Sequence, residues 1–492
     1  DSGILMSSVP VTRQPVELAP DPRRIIAKPF LAVDDLPAEG ETRIAHLIGR
    51  ILDLSHDEVT ATLKEVRQNF RQRHSDIDAV FERGFLAVAH RVPDAANLPD
   101  DMRRLIGAYF MHEYSLEGAA LTNPSIVAHP DQTGVPSGSL RVIVSLRSIG
   151  EGHISSIEFR AGLIGQSGDV TIEPPGVPMS GYRQSPIFDK PMFTAKLAEM
   201  GATDGLALQT LAALENRFTV ADLDQALADV AAREASPNAI HHVMQLMQWL
   251  ASSNYEVAFP RESELSQRVL FPNGPTESRG MEDARLVRFV ATDGSVVYYA
   301  PYTAYDGFNI LPQLIETTDF TSFRIATLNG PAATNKGIAI FPRPIDGRYA
   351  ALGRSDGENN YLMLSDHVRF WHEAEQIQVP NRPWELMQIG NAGPPLETEA
   401  GWLVLTHGVG PMRQYALGAI LLDIDDPCLV LGHLREPFLV PDRHERDGYV
   451  PNVVYSCGSI LHNNRLVIAY GASDTSSRFA TVPIDTLLAE MT

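Results

Sequence analysis

Two periodicities divide the chain. Ile44, Leu47, Ile48, Ile51 and Leu52 recur at i, i+3, i+4, i+7 and i+8, an apolar stripe along one face of a helix. Ser55-His56-Asp57-Glu58 has the form of a capping box and predicts a second helix, with Val59, Leu63, Val66 and Phe70 inward. Further helix is predicted through Val80, Phe85 and Val88, and from Met102 to Tyr114. Residues 1–38 are proline-rich and aperiodic and read as an extended N-terminal arm; residues 39–120 read as a helical region. After Leu121 the period changes to two: Ser139 to Arg147 and His153 to Arg160 read as paired strands split by Gly150-Glu151-Gly152. Helix returns over about 190–252. There Thr219-Val220-Ala221-Asp222 is a cap, Leu223, Leu227 and Val230 share a face, Ile240, Val243, Met247 and Leu250 share another, and Pro237 sits near a helix start.

From residue 285 onward the pattern is strands and turns in a loose repeat. Units beginning near Gly294, Gly347, Gly401 and Asn464 each give a turn, an apolar strand, a polar insert and a second strand, at a spacing of roughly 50–65 residues. That spacing suits four-stranded blades, and the strands of 121–180 add another. The predicted fold is therefore mainly β, a five-bladed β-propeller over 121–492 with a helical insertion at about 190–252 and helical regions ahead of it. A two-sheet sandwich is the rival, but it does not explain why each unit carries its polar cluster after its first strand.

Composition narrows the partners. With 44% hydrophobic and 21% charged residues in 492, the chain reads as an ordinary globular protein. No apolar run reaches the roughly 18 residues a membrane span needs, and no signal-peptide layout opens the chain, so no membrane partner is expected. Asp1 to Leu5 read as an appendage ahead of a natural start at Met6. The two cysteines, Cys428 and Cys457, give neither a disulfide framework nor zinc spacing, and a reducing cytoplasm is expected. His241-His242 lacks partner ligands at metal spacing, so no metal is expected. A net charge of −21 argues against nucleic acid, while leaving room for a small anion in a locally basic pocket.

The chemistry concentrates at Glu277-Ser278-Arg279-Gly280-Met281-Glu282-Asp283-Ala284-Arg285, an acid pair between two arginines at a strand entrance, followed by Tyr302-Thr303-Ala304-Tyr305-Asp306-Gly307. Asp283 is the first candidate: Glu282 beside it would raise its pKa, Arg279 and Arg285 would lower it. Lys336, Arg354 and His407 stand on separate repeats, each flanked by glycine or a small residue that lets an anion reach the backbone, with Arg413 and Tyr415 shortly after. Arginine suits bidentate phosphate contact and lysine supplies a point charge. Trp371, Trp384, Trp402, Tyr302, Tyr305 and Tyr415 offer faces for sugar stacking, with core packing the alternative. Asn123, Asn391, Asn452 and Asp474 offer groups for hydroxyl recognition.

These motifs resemble glycoside hydrolase family 130, the mannoside phosphorylases and related β-mannosidases. The resemblance rests on Gly280-Met281-Glu282-Asp283-Ala284-Arg285, Tyr302 to Gly307, Lys336 before Phe341-Pro342, Arg354, Gly393-Pro394-Pro395, Gly401-Trp402-Leu403, His407-Gly408-Val409, Leu421 to Pro427, Val450-Pro451-Asn452-Val453-Val454 and Tyr470 to Thr475, in order over about 270–490. It implies a five-bladed propeller and an inverting reaction on β-1,2- or β-1,4-linked manno-oligosaccharides. Asp283 would be the general acid, passing its proton through the mannose 3-hydroxyl. Phosphate, the co-substrate in a reaction without cofactor, would be held by Lys336, Arg354, His407, Tyr415 and Arg279 and would yield α-mannose 1-phosphate. Asn123, Glu282, Arg285, Tyr302, Tyr305, Asp306, Asn452 and Asp474 would bind the sugar.

One departure opens alternatives. Shorter phosphorylases of the family carry an arginine soon after the Tyr-Thr-x-Tyr motif, whereas Phe308 to Glu316 here contains no basic residue. Either Arg279, Arg343 or Arg413 compensates, or water is the nucleophile, activated by Glu316 or Glu358, and the protein is an inverting β-mannosidase. The phosphorylase is preferred, since losing one cation weakens such a site without abolishing it. A non-catalytic glycan-binding propeller is the third reading. The helical additions are expected to form an oligomer interface or to cap the channel mouth.

Overall fold

The structure, a computed structural model, describes residues 7–30, 37–202, 205–233 and 237–491. The expectations for Asp1 to Leu5 and Met6 lie outside these residues. Contacts divide the chain into two units: residues 1–20, 119–175 and 181–492, and residues 21–118 with 176–180.

The larger unit is mainly β. Its alternating sequences form antiparallel meanders of successive strands, the arrangement that short turns allow. The first sheet runs Ala120–Ala128, Leu140–Ile149, Ser155–Ile164 and Val170–Ile172. The second is built around Val296–Tyr305, Ile310–Thr317 and Ser322–Thr327, with Tyr255–Ala258 beyond them and with Gly280–Glu282 and Val287–Val290 both pairing the first of these. The third holds Ala339–Ile340, Tyr349–Gly353, Asn360–Ser365 and Ala374–Gln378. The fourth centres on Gly401–Val409 and Tyr415–Leu422, flanked by Gln388–Asn391 and Val430–His433. In the fifth, Val454–His462, Arg465–Ala472 and Ser476–Pro483 are completed by Thr12–Leu18, which pairs antiparallel with the last of them.

One parallel bridge, Gly280 to Ser155, joins the first sheet to the second. Glycine is required there: φ is 147°, and a Cβ would stand 2.3 Å from Ser155 Oγ. Apolar clusters fill the space between sheets. Trp402 packs edge-on against Phe341, and Trp371 is buried with Leu314, Ile340 and Met363. With Trp384 buried as well, none of these three indoles offers a face to a sugar. The insertion between the first two sheets is helical, Lys190–Glu199, Gly205–Ala213, Val220–Ala231 and Pro237–Ser252, around Phe193, Phe218, Leu227 and Met247. Its Thr219 cap forms with Asp222 as the sequence indicates.

The smaller unit packs Pro37–Leu52, His56–Phe70, Ile77–Val88 and Asp100–Tyr109 around Ile44, Ile48, Ile51, Phe85 and Leu105, beside a two-stranded pairing of Ile25–Pro29 with Met111–Ser115. The Ser55–Glu58 capping box is present. Phe70, expected inward, is instead exposed at the end of its helix, at the rim of the cluster of Leu63, Val80 and Phe81. Among the described residues no helix is long and apolar enough to cross a membrane.

Candidate functional site

The acid motif is placed from behind by Glu277. Its carboxylate, fully buried, accepts from the Asn273 and Gly274 amides at 2.9 and 3.0 Å, lies 2.5 Å from the Tyr302 hydroxyl and accepts from the Tyr255 hydroxyl. Burial, then the Glu277 charge, pushes both tyrosine pKa values well up, so both stay donors. This hub fixes the turn that leads into Gly280–Glu282, where the strand ends and Asp283 takes a left-handed backbone, φ 55°. Asn123, Asn335 and Asp474 take the same conformation, φ 49°, 63° and 48°. Among non-glycine residues Asn and Asp tolerate that region best, and here four of them carry it around one cavity.

The four residues meet at a cavity of about 350 Å³. At one end are the acids. Arg147 donates from Nη2 to Glu282 Oε1 at 2.7 Å and lies 3.5 Å from Asp283 Oδ1 through Nη1. Asn123 Nδ2 donates to the same Asp283 oxygen. Asp474 lines the wall too: burial, then the Asp283 charge, pushes its carboxyl up to about 6 against the pull of Arg147 and Arg413. Burial alone would lower the Arg147 pKa, but Glu282, Asp283 and Asp474 outweigh it and raise it.

The rest of the wall comes from other sheets. Lys336, 3.5 Å from Glu282 Oε2, connects the two ends. Arg354 donates to the Gly357 carbonyl, and its pKa is lowered by burial and by Arg285 against the pull of Tyr455. His407, near the end of its strand, packs against the rings of Tyr415 (centroids 6.1 Å apart, 18° between planes) and Tyr455 (4.9 Å). Gly390 makes room for this packing, since a Cβ there would stand 2.4 Å from His407 Cε1 and 2.6 Å from Arg354 Cδ. Arg413 and Gln388 complete this side.

Thus Asn123, Glu282, Asp283, Lys336, Arg354, His407, Tyr415 and Asp474, far apart in sequence, come together. The other expected residues do not line the cavity. Arg285 is fully buried behind it, donating through Nη1 to Asn391 O and Oδ1 (3.1 and 3.0 Å) and through Nη2 to the Tyr455 hydroxyl (2.7 Å). It positions these groups from the next layer. Tyr302 belongs to the Glu277 hub. Tyr305 donates to the Gly307 carbonyl, and Asp306 accepts from the Phe308 and Asn309 amides, so both shape a turn. Asn452 accepts from Arg446 Nε at 2.8 Å, between the cavity residues Val450 and Val453. Arg279 is exposed beside the Gly307 turn, and Arg343 is paired with Glu397 at 2.8 Å. Of the three compensating arginines considered, Arg413 is the one on the wall. Neither Glu316 nor Glu358 is there; among the described residues the carboxylates lining the cavity are Glu282, Asp283 and Asp474.

Sequence reasoning missed Arg147, Gln388 and Tyr455. Arg147 carries no motif: it sits in an alternating strand, 135 residues from its partner Glu282. Tyr455 follows the Pro451 to Val454 motif directly and was within reach of that signal.

A mainly β protein that sets carboxylates against cations across one polar cavity has the form of a carbohydrate-active enzyme. A family model described as beta-1,4-mannooligosaccharide phosphorylase matches residues 241–492, and the chain belongs to this family, glycoside hydrolase family 130. A 1,2-beta-oligomannan phosphorylase of Thermoanaerobacter sp. (strain X514) is 33% identical over 219 residues, 43% of this chain and 71% of the relative. A beta-1,2-mannobiose phosphorylase of Listeria innocua is 31% identical over 45% of this chain and 63% of its own length. A beta-1,4-mannooligosaccharide phosphorylase of Ruminococcus albus is 32% identical over 34% of this chain and 54% of its own length. The solved structure of the Listeria innocua beta-1,2-mannobiose phosphorylase aligns with 77% of this chain and 93% of that one, at 20% identity and a TM-score of 0.44.

Proposed function

We propose that the protein is an inverting β-mannoside phosphorylase, acting on β-1,2- or β-1,4-linked manno-oligosaccharides and inorganic phosphate to give α-mannose 1-phosphate. The observation that carries this reading is the convergence of Lys336, Arg354 and Arg413 on the cavity that holds Asp283, with Glu316 and Glu358 away from it. A phosphate nucleophile needs no base, only positioning and charge neutralisation.

In this reading the five antiparallel sheets are propeller blades and the cavity lies where their inner strands converge. Asp283 gives its proton, by way of the mannose 3-hydroxyl, to the glycosidic oxygen as the bond to the anomeric carbon breaks. A phosphate oxygen forms the new bond from the opposite face. Arg147 and Asn123 then stabilise the carboxylate left on Asp283, and Asp474 and Glu282 contact sugar hydroxyls.

Sugar release from β-1,2- and β-1,4-mannobiose, measured with and without phosphate, tests the reading. Strict phosphate dependence is expected; equal rates in phosphate-free buffer would reject it in favour of hydrolysis. Asp283→Asn should lower kcat by about 10²–10⁴-fold, the usual contribution of a general acid, with the fold retained by circular dichroism.

A further inference from the structure

His407 differs from the cations that share its side of the cavity. Lys336, Arg354 and Arg413 can only donate hydrogen bonds. His407 Nδ1 lies 3.2 Å from the Asn391 carbonyl oxygen, an acceptor, so Nδ1 carries a proton and donates. Nε2 is buried and has no hydrogen-bond partner among the described residues, although the ring lines the cavity. The groups facing the ring are Arg354 and Arg285, which add positive charge, and the hydroxyl-bearing rings of Tyr415 and Tyr455. Burial first, then the two arginines, hold the His407 pKa well below the ordinary imidazole value, with the Asn391 carbonyl pulling the other way. The ring is therefore neutral near neutral pH, and Nε2 presents a lone pair.

On the basis of the phosphorolysis reading, we propose that His407 is a specificity residue whose Nε2 accepts a hydrogen bond from the P–O–H of monoprotonated phosphate. The cavity then takes HPO₄²⁻ and discriminates against dianions of similar shape that carry no proton. Sulfate would set an oxygen lone pair against the Nε2 lone pair and leave two buried acceptors unsatisfied. The same contact fixes the rotation of the ion. Its protonated oxygen turns to His407, and an unprotonated oxygen, the better nucleophile, is left for the sugar side.

Isothermal titration of the full chain without sugar, at mildly alkaline pH, tests this with four probes: phosphate, arsenate, sulfate and monofluorophosphate, in which fluorine replaces the hydroxyl. Phosphate and arsenate are expected to bind at least ~10-fold more tightly than sulfate and monofluorophosphate, the effect of one buried hydrogen bond made or lost. His407→Gln, which offers an N–H in the region of Nε2, should bring sulfate to within about threefold of phosphate. Should that variant not fold, the wild-type series decides alone. Equal affinity for phosphate and sulfate, with turnover still phosphate-dependent, overturns the role of His407 and leaves phosphorolysis standing. No binding of any of the four anions, with turnover equal in phosphate-free buffer, overturns both.

Discussion

Asp474 sits in surroundings that oppose its charge, and the sign of that conflict can be followed through pH. Its carboxyl titrates at about 6 in the folded protein against an ordinary value of 3.8. Below the lower value both states are protonated and the folded state bears no penalty. As pH rises from there to about 6 the unfolded chain releases its proton first, and stability falls. Above that window the full cost, about 2–3 kcal/mol, is present. Asp474→Asn should therefore raise the Tm near pH 8 while matching the wild type near pH 4, at the expense of sugar binding. A gain of equal size at both pH values in a calorimetric series would reject this account.

At the same scale lies the boundary of what the sequence made legible. Asp283 stands out as half of an acid pair between two arginines, and Lys336, Arg354 and His407 because each is set off by glycine or a small residue, in both cases a local signal. Tyr302 and Asp306 are expected as sugar ligands from the motif that holds them, Tyr302 to Gly307, which is also local sequence. Their roles as a buried partner of Glu277 and a turn cap depend on which way a strand faces and where it ends, facts fixed only by pairing with Ile310–Thr317. Arg147 failed for the converse reason, being functional by position and nondescript by neighbourhood.

At the scale of elements, two strands of the fourth sheet position His407 and Arg354 at the cavity. Gly390 pairs with His407 across Gln388–Asn391 and Gly401–Val409, and lacks the side chain that would displace both His407 and Arg354. Gly390→Ala is expected to keep the sheet but shift the two groups outward. A displacement of that kind should raise the phosphate KM by about 10-fold or more while the sugar KM changes little. Initial-rate kinetics with each substrate varied in turn would show it; equal rises in both constants would point to a general distortion. Many elements are readable from period alone, as the two capping boxes and the paired strands of the first sheet show, because local pattern and tertiary contact agree there. Thr12–Leu18 and Ile25–Pro29, in the stretch expected to be an extended arm, and Met111–Ser115, where helix is expected to run on to Tyr114, are strands set by their distant partners. The order in which sheets adjoin is not readable from period, since it depends on contacts such as Gly280 with Ser155 that no periodicity reports.

At the scale of the whole chain, the fifth sheet takes its fourth strand from near the other end of the sequence. Arg13 secures that strand. Its guanidinium donates to the Val440 carbonyl at 2.7 Å and to Glu445 at 3.0 and 3.1 Å, and Glu445 is fully buried and accepts from the Tyr470 hydroxyl as well. Arg13→Ala strands a buried carboxylate and should cost about 3 kcal/mol in a denaturant titration, whereas Gln14→Ala nearby should cost under about 0.5 kcal/mol.

The pairing of Thr12 with Thr481 also sets a clock for the nascent chain. The two residues are 481 − 12 = 469 positions apart. At roughly 5–20 residues per second a ribosome takes about half a minute to a minute and a half to travel from one to the other. For that interval Thr12–Leu18 has no partner to zip against, and its backbone donors and acceptors are open to any passing edge. Sequestration of this segment by a chaperone, or its exchange between two chains on one messenger, would leave its mark on the yield of active protein rather than on the stability of what has folded.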